Sequence, residues 1–85
     1  PKLLLLDEPT AGMGPEDSER VKRLLERLRE RYVMLLIEHD MDAVFRLADR
    51  ITVLVYGRAI ASGTPREIRD NEEVRRAYLG DGEDF

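Results

Sequence analysis

The amino-acid sequence predicts an α/β fold in which parallel strands have flanking helices and a short antiparallel hairpin follows. Two uninterrupted apolar runs, LLLL at residues 3–6 and VMLLI at 33–37, have the composition of buried strands. Between them, apolar residues recur at every third or fourth position, which is the period of a helix. This β-α-β order predicts that the two strands run parallel in one sheet.

The first strand and the first helix are separated by a loop. Residues 3–6 show no alternation of polar and apolar side chains, so we expect this strand to be covered on both faces. The segment EPTAGMGP that follows is rich in glycine and proline. Pro15 suits the first turn of a helix of about 16 residues. The predicted apolar stripe of that helix consists of Val21, Leu24, Leu25, Leu28 and Tyr32.

The opposite face of the first helix carries arginine, lysine and glutamate side chains, including Lys22. Acidic and basic residues alternate along it, so the face does not form a basic stripe for nucleic acid. We expect a solvated surface with ion pairs four residues apart, such as Glu16–Arg20 and Glu19–Arg23.

The central part of the chain continues the alternation of strands and helices. After the strand at 33–37, a short helix is predicted with Met41, Val44, Phe45 and Ala48 on one side. The run ITVLVY at 51–56 forms a third strand, and Gly57-Arg58 forms the turn of a hairpin. Residues 59–61 return as the partner strand.

The last third of the chain contains a helix-start signal. Thr64 is placed as an N-cap, and Glu67 follows it by three residues, which together form a capping box. A final helix at about 72–79 is expected to bury Val74, Tyr78 and Leu79. The tail GDGEDF is expected to be loose.

Composition excludes several classes of function. There are 18 acidic and 14 basic residues, a net charge of −4, so we expect no nucleic-acid partner. The absence of cysteine excludes disulfides, thiolate metal sites and a cysteine nucleophile. The longest apolar runs have four or five residues, far fewer than the roughly 20 that a membrane-spanning helix needs.

Ionisable side chains follow both buried strands at the point where each ends. Asp7 and Glu8 come after the first strand, and Glu38, His39 and Asp40 come after the second. Open parallel sheets bind ligands at the carboxyl ends of their strands. Neighbouring strands lie about 4.8 Å apart, so these groups are expected to share one edge of the sheet.

Phosphoryl transfer is the chemistry that uses such a set of residues. Mg²⁺ takes oxygen ligands and needs only one or two carboxylates beside the phosphates and waters, and Asp7 suits that role. Glu8 can orient or deprotonate an attacking water, and His39 can donate a hydrogen bond to a terminal phosphate. The structural alternatives are a carboxylate that accepts hydrogen bonds from the following loop and a histidine that merely begins a helix.

Two of these segments resemble motifs of the ATP-binding cassette ATPases. LLLLDEPT resembles their Walker B strand, and LLIEHDM resembles their switch-histidine segment, with one loop and one helix between them. The resemblance implies part of a P-loop NTPase fold and the cofactors ATP and Mg²⁺. It assigns Asp7 to the magnesium site, through water, Glu8 to catalysis, and His39 to catalysis and to contact with the nucleotide.

A narrower resemblance concerns AGMGPED, IEHDM and the terminal VRRAYLG. These segments are similar to ATPases that serve uptake of branched-chain amino acids and the related uptake of amides or urea. An ATPase of lipopolysaccharide export shares part of the pattern and is an alternative. The resemblance implies a peripheral protein on the cytoplasmic face of the inner (plasma) membrane. Its implied partners are transmembrane permease subunits and a second ATPase subunit.

Several motifs of that family do not occur in residues 1–85. The sequence has no G-x-x-x-x-G-K-[ST] loop (Walker A), no serine-glycine-glycine signature and no glutamine loop, and Gly14 stands where many members have an aspartate. We therefore expect a C-terminal part of a nucleotide-binding domain that needs its N-terminal half. Alone, it is expected to hydrolyse little ATP and to self-associate through exposed sheet.

Two other classes of function remain open from the residues alone. The first is a non-catalytic α/β module, similar to a receiver domain, in which Asp7 and Glu8 bind a divalent ion. The second is a structural part that dimerises through its helices without a ligand. Nucleotide binding that appears only when the chain is mixed with its upstream half would distinguish the ATPase from both.

Overall fold

The computed structural model describes residues 2–79. They divide into two compact units, with the boundary between Ala48 and Asp49. The first unit contains β1 (Leu3–Asp7), α1 (Pro15–Leu28), β2 (Val33–Ile37) and α2 (Met41–Leu47). The second contains β3 (Ile51–Val55), β4 (Arg58–Gly63), α3 (Pro65–Asp70), α4 (Glu72–Val74) and a π-helical turn (Arg75–Leu79). In the described residues, no helix has the length and apolar character that a membrane span requires.

The sheet of the first unit confirms the predicted parallel pairing. β1 lies beside β2 in a register that runs from Leu3 opposite Val33 to Asp7 opposite Ile37. The pairing continues beyond the strand, because the N–H of Glu8 donates to the carbonyl of Ile37 at 2.7 Å. Both strands therefore end at the same edge, and the residues that follow them begin as neighbours.

Only one face of this sheet is covered by the described residues. The buried residues Leu25, Ala43 and Leu47 of α1 and α2 pack with side chains that include Leu6 and Met34. The side chains on the other face are 56% to 69% exposed, namely Leu3, Leu5, Val33, Leu35 and Ile37. Among residues 2–79 the expected cover on both faces is not present, because side chains alternate between faces and the two helices lie against one of them.

The helices of the first unit confirm part of the predicted apolar stripe, since Leu25 is buried and Val21 and Leu28 pack against it, but other positions differ. α1 has 14 residues, slightly fewer than expected. Its Lys22, predicted on the solvated face, is only 8% exposed, whereas the predicted core residue Leu24 is 45% exposed. In α2 the buried side chains are Ala43 and Leu47, instead of the four predicted on one side. Lys22 is buried because its ammonium group is paired, as described below.

The hairpin of the second unit forms a two-stranded antiparallel sheet of its own, β3 with β4. Its turn is Tyr56-Gly57, one residue earlier than the predicted Gly57-Arg58. Both turn residues have positive φ, +49° and +75°, which is the conformation of the two-residue turn that matches strand twist. The geometry of that turn, and not the length of the apolar run, sets where β3 ends.

The helices of the second unit begin at two side-chain caps. The predicted capping box is confirmed, since Thr64 Oγ1 accepts from the N–H of Glu67 at 3.2 Å and Glu67 Oε1 accepts from the N–H of Thr64 at 2.8 Å. Asn71 ends α3 and caps α4. Val74 is fully buried as predicted, whereas Tyr78 is largely exposed and its hydroxyl donates to the carbonyl of Leu54. The predicted loose tail lies outside the described residues.

Candidate functional site

Glu8 is held by its backbone immediately after β1. Its N–H donates to the carbonyl of Ile37 at 2.7 Å, and its own carbonyl accepts from the N–H of Ala11 at 3.0 Å. Its φ of +48° lies in the left-handed region, which is uncommon for a residue other than glycine. Unfavourable backbone conformations that persist in this way are concentrated at functional sites.

His39 lies in the turn between β2 and α2, and its Nδ1 contacts Oε1 of Glu8. The His39 side chain is 74% exposed and that of Glu8 is 44% exposed. A carboxylate against Nδ1 favours the proton on that nitrogen, which leaves Nε2 for another partner. The structure therefore brings two of the predicted site residues together at the sheet edge, in a place that solvent and a ligand can reach.

Asp7 is the third predicted site residue, and it does not belong to the group of ligand atoms that contains this pair. It is the last residue of β1, is exposed, and shares its face of the sheet with Leu3 and Leu5. In the described part of the chain, the group of ligand atoms within 4.8 Å of one another comprises Glu8, Glu38 and His39, without Asp7. Asp7 and Glu8 are thus adjacent in sequence, but only the Glu8 carboxylate belongs to the group of ligand atoms around His39.

Glu38, for which the sequence suggested no role, is the most highly connected carboxylate near His39. Its Oε2 accepts from the N–H of Thr10 at 3.2 Å and from the Thr10 hydroxyl at 2.7 Å. Its Oε1 accepts from the N–H groups of His39 at 3.1 Å and Asp40 at 3.3 Å. Burial raises the pKa of Glu38, but these hydrogen bonds outweigh burial and hold the pKa below its ordinary value.

Asp40 and Lys22 hold the other side of the His39 turn. Asp40 Oδ1 caps α2 by accepting from the N–H of Ala43 at 3.2 Å, and its Oδ2 lies 3.1 Å from Lys22 Nζ. Lys22 Nζ also lies 2.9 Å from Asp42 Oδ2. The hydrogen bond to Asp42, opposed by burial and aided by Asp40, raises the pKa of Lys22. Burial raises the pKa of Asp40, but the hydrogen bonds from Ala43 and Lys22 prevail and lower it.

A second set of ion pairs joins α2 to α1 through Arg46. Arg46 of α2 donates to Glu19 and to Glu26 of α1, each at 2.8 Å. The hydrogen bond to Glu19, followed by that to Glu26, raises the pKa of Arg46 further above its ordinary value. The helix that begins beside His39 is therefore attached to α1 by polar contacts as well as by its apolar residues.

The donor set at this edge fits a hard cation bound together with phosphates. Mg²⁺ prefers oxygen ligands and keeps several waters, so an exposed strand-end carboxylate such as Asp7 is sufficient on the protein side. Glu8 and His39 contribute further polar atoms at the same edge of the sheet. Glu38 is a poorer ligand, because four hydrogen bonds from Thr10, His39 and Asp40 already occupy its oxygens.

Sequence reasoning missed the connecting residues. Glu38 was visible as a carboxylate beside a histidine at a strand end, and that position was the available signal. Its partner Thr10 is 28 residues away in the chain, so no local pattern indicates the bond. For Lys22 the sequence pattern was misleading, because a lysine on a charged helix face predicts exposure, whereas the Lys22 side chain is buried.

Comparison with known protein families gives a match in the last part of the chain. Residues 60–84 match the family model described as "Branched-chain amino acid ATP-binding cassette transporter". The chain is also 46% identical over 83 residues to the high-affinity branched-chain amino acid transport ATP-binding protein BraF of Pseudomonas aeruginosa. That alignment covers 95% of this chain and 32% of BraF, so the chain spans about a third of that relative's length.

Two further similarities concern other transport systems. The lipopolysaccharide export system ATP-binding protein LptB of Escherichia coli is 42% identical over 86 aligned residues, which cover 100% of this chain and 35% of LptB. Among solved structures, cbiO1 of Clostridium perfringens, part of the ABC transporter complex cbiONQ, is similar with a TM-score of 0.71. It is 35% identical, and the match covers 91% of this chain and 32% of cbiO1.

Proposed function

This chain belongs to the ATP-binding cassette ATPases, and from that premise we propose that it is part of a transporter's ATP-binding subunit. In that subunit it helps to couple hydrolysis of Mg-ATP to the uptake of branched-chain amino acids or related solutes. The 46% identity to BraF and the family match over residues 60–84 support this choice of solute class.

The contact between Glu8 and His39 is the observation that carries the proposal. Glu8 is the catalytic residue that orients or deprotonates the attacking water. His39 contacts Glu8 through Nδ1, and its Nε2 is available to a terminal phosphate oxygen. Asp7 holds the magnesium ion through water, so Asp7 and His39 are the nucleotide-binding residues of this chain. Bound Mg²⁺ supplies neutralisation of the charge that develops on the transferred phosphoryl group.

The chain does not carry every part that hydrolysis requires. Its sequence contains no glycine-rich phosphate loop with a lysine, which supplies much of the nucleotide affinity in P-loop enzymes. We therefore propose that the isolated 85 residues hydrolyse ATP negligibly. The remaining part of the same domain, corresponding to the other two-thirds of the relatives, supplies the phosphate-binding backbone.

The partners follow from the transporter assignment. We propose transmembrane permease subunits, a second ATPase subunit and a peripheral position on the cytoplasmic face of the inner (plasma) membrane. Nucleic acid is not proposed as a partner, given the net charge of −4. The isolated chain also associates with itself, since the apolar face of β1 and β2 is exposed within these residues.

Export of lipopolysaccharide is the second candidate, because LptB is 42% identical over the whole of this chain. The greater identity to BraF and the match to the family described for branched-chain amino acids favour uptake. Urea or amide uptake is a third variant of the same ATPase role. A metal-binding module without catalysis, in which Asp7 and Glu8 hold a divalent ion, is disfavoured by the identity to ATP-binding proteins of transport systems.

The test is substitution of Glu8 in the full-length protein that contains this chain. Glu8→Gln keeps the size of the side chain but removes the base, so ATP hydrolysis should fall at least a hundredfold while ATP remains bound. Glu30→Gln, at an exposed position beyond α1, is the matched control and should hydrolyse ATP normally. Phosphate release measures hydrolysis, and a filter-binding assay measures the ATP that remains bound.

Two results would contradict the proposal. Hydrolysis that continues in Glu8→Gln would remove the catalytic assignment. In cells, deletion of the gene should reduce uptake of labelled leucine, isoleucine or valine. Unchanged uptake of all three amino acids, together with loss of lipopolysaccharide from the cell surface, would favour the export function instead.

A further inference from the structure

We propose that Glu38 is a positioning residue, whose carboxylate joins the loop after β1 to the turn after β2 and so holds His39 against Glu8. The inference deepens the proposed function and rests on it. Glu38 does not touch the reacting atoms in this proposal. It acts through the backbone that carries His39.

The His39 side chain is too exposed for packing to orient it. It is 74% exposed, so its direction depends on where the backbone of the turn is held. The N–H groups of His39 and Asp40 both donate to Oε1 of Glu38. On the other side of the turn, Asp40 caps α2 and pairs with Lys22. The turn is thus restrained on both sides of the histidine.

The second oxygen of Glu38 reaches the loop that carries Glu8. Oε2 accepts from both the N–H and the hydroxyl of Thr10, which lies two residues after Glu8 and is 7% exposed. One oxygen therefore serves the His39 turn, and the other serves the Glu8 loop. Because Thr10 and Glu38 are 28 residues apart in sequence, these hydrogen bonds fix the loop that carries Glu8 relative to the turn that carries His39.

The four donors require a carboxylate and not an amide. An ionised carboxylate only accepts hydrogen bonds, on two equivalent oxygens, and each oxygen of Glu38 faces two donors. A glutamine side chain has one oxygen and one NH₂ group. With its NH₂ towards the His39 turn, the N–H groups of His39 and Asp40 would lose their acceptor; with its NH₂ towards Thr10, the Thr10 hydroxyl could accept but the Thr10 N–H would lose its acceptor. In either orientation at least one backbone attachment is lost. The low pKa of Glu38 agrees with an ionised group at neutral pH.

Kinetics of the full-length ATPase test this proposal. Glu38→Gln and Thr10→Val should each lower kcat about tenfold with little change in KM for ATP, because misorientation of a catalytic group affects the reaction more than binding. Thr10→Ser restores the hydroxyl and should recover most of the loss. Thr64→Ala, which removes the cap of α3, is the control for general destabilisation and should keep normal kcat at a temperature where it is folded.

A spectroscopic measurement tests the positioning directly. His39 is the single histidine of this chain, and its ¹⁵N imidazole signals in the full-length protein are identified by their loss in His39→Asn. Glu38→Gln should shift those signals in the same direction as Glu8→Ala, since both weaken the Nδ1 contact. In the Glu8→Ala background, Glu38→Gln should add little. The Thr64→Ala control should leave the signals in place.

The outcomes separate this proposal from the proposed function. If Glu8→Gln stops hydrolysis but Glu38→Gln and Thr10→Val keep full kcat and an unshifted His39 signal, the positioning role is wrong and the ATPase assignment stands. If Glu8→Gln remains active, the proposed function fails. The imidazole signals still decide in that case whether Glu38 holds His39, and unshifted signals would overturn the role.

Discussion

At the scale of single residues, two positions share an unusual backbone but have different causes for it. Glu8 and Tyr56 both have φ near +50°, a region that costs an L-residue roughly 1–2 kcal/mol. At Glu8, hydrogen bonds to Ile37 and Ala11 hold the conformation beside the His39 contact. At Tyr56, the conformation is required by the two-residue turn of the hairpin. A positive φ alone therefore does not indicate a functional residue.

Tyr56 offers a test of this cost. Tyr56→Asn should stabilise the folded state by about 1 kcal/mol, because asparagine adopts the left-handed region more readily. Tyr56→Val should destabilise it, since a β-branched residue fits that region worst. The Tyr56 side chain is fully exposed, so neither change removes packing. Urea unfolding of the full-length protein measures both, and equal stability of the two variants would show that the turn is not strained.

At the scale of elements, polar contacts join α1 to α2 and to the strand ends at positions that the helix pattern predicts to be solvent-exposed. Lys22 is one position where an amphipathic pattern predicts exposure and the structure shows burial. It pairs with Asp40, the N-cap of α2, and with Asp42 in its first turn. Arg46 provides the attachment near the end of α2. α2 is a seven-residue helix that would be marginal alone, so these attachments stabilise it.

The pKa shifts of this network predict how stability depends on pH. The pKa values of Glu38 and Asp40 are lowered on folding, so their contribution is full above their ordinary values of 4.5 and 3.8 and is lost as pH falls through the folded values. The pKa of Lys22 is raised above 10.5, so its contribution is full below that value and is lost at higher pH. Stability should therefore be greatest between these limits.

Lys22→Met tests the assignment of both limits. This variant should lose the decrease in stability that Lys22 causes at alkaline pH, and the acid decrease should become smaller because Asp40 loses a partner that lowers its pKa. Urea unfolding midpoints across pH measure the effect. Lys2→Met, at an exposed position, is the control. An unchanged pH profile in Lys22→Met would show that the Lys22 ion pairs contribute nothing to stability.

At the scale of the whole molecule, the most prominent feature is an apolar sheet face that the described residues leave exposed. It consists of Leu3, Leu5, Val33, Leu35 and Ile37 on β1 and β2. Contiguous apolar patches of this kind mark surfaces that contact another protein segment. The chain spans about a third of BraF, so further polypeptide is available in such proteins to cover the face.

The isolated chain should therefore self-associate. Sedimentation velocity over a range of concentrations should show species larger than the 9.8 kDa chain. The double variant Leu5→Lys and Leu35→Glu places charges on the face and should shift the distribution towards monomer. Leu24→Lys, at an exposed leucine of α1, is the control and should not. A clean monomer of the unaltered chain at high concentration would contradict the prediction.

Much of the candidate site could be predicted from the sequence, because its parts are local. Apolar runs that end in ionisable residues predicted the parallel strands and placed Glu8 and His39 at one edge, where the structure shows them in contact. Thr64 and Glu67 predicted their capping box, since three residues of spacing determine that geometry. The catalytic roles of Asp7, Glu8 and His39 stay predictions until they are tested.

The sequence by itself determined the α/β class, the order of the elements and the residues presented at the strand ends. Only the tertiary structure decided that Lys22 is buried and that Glu38 connects Thr10 to the His39 turn. The physical reason is the separation in sequence between the interacting residues. Periodicity and capping depend on neighbours a few residues away, whereas these contacts join groups 18 to 28 residues apart whose meeting depends on how the helices pack.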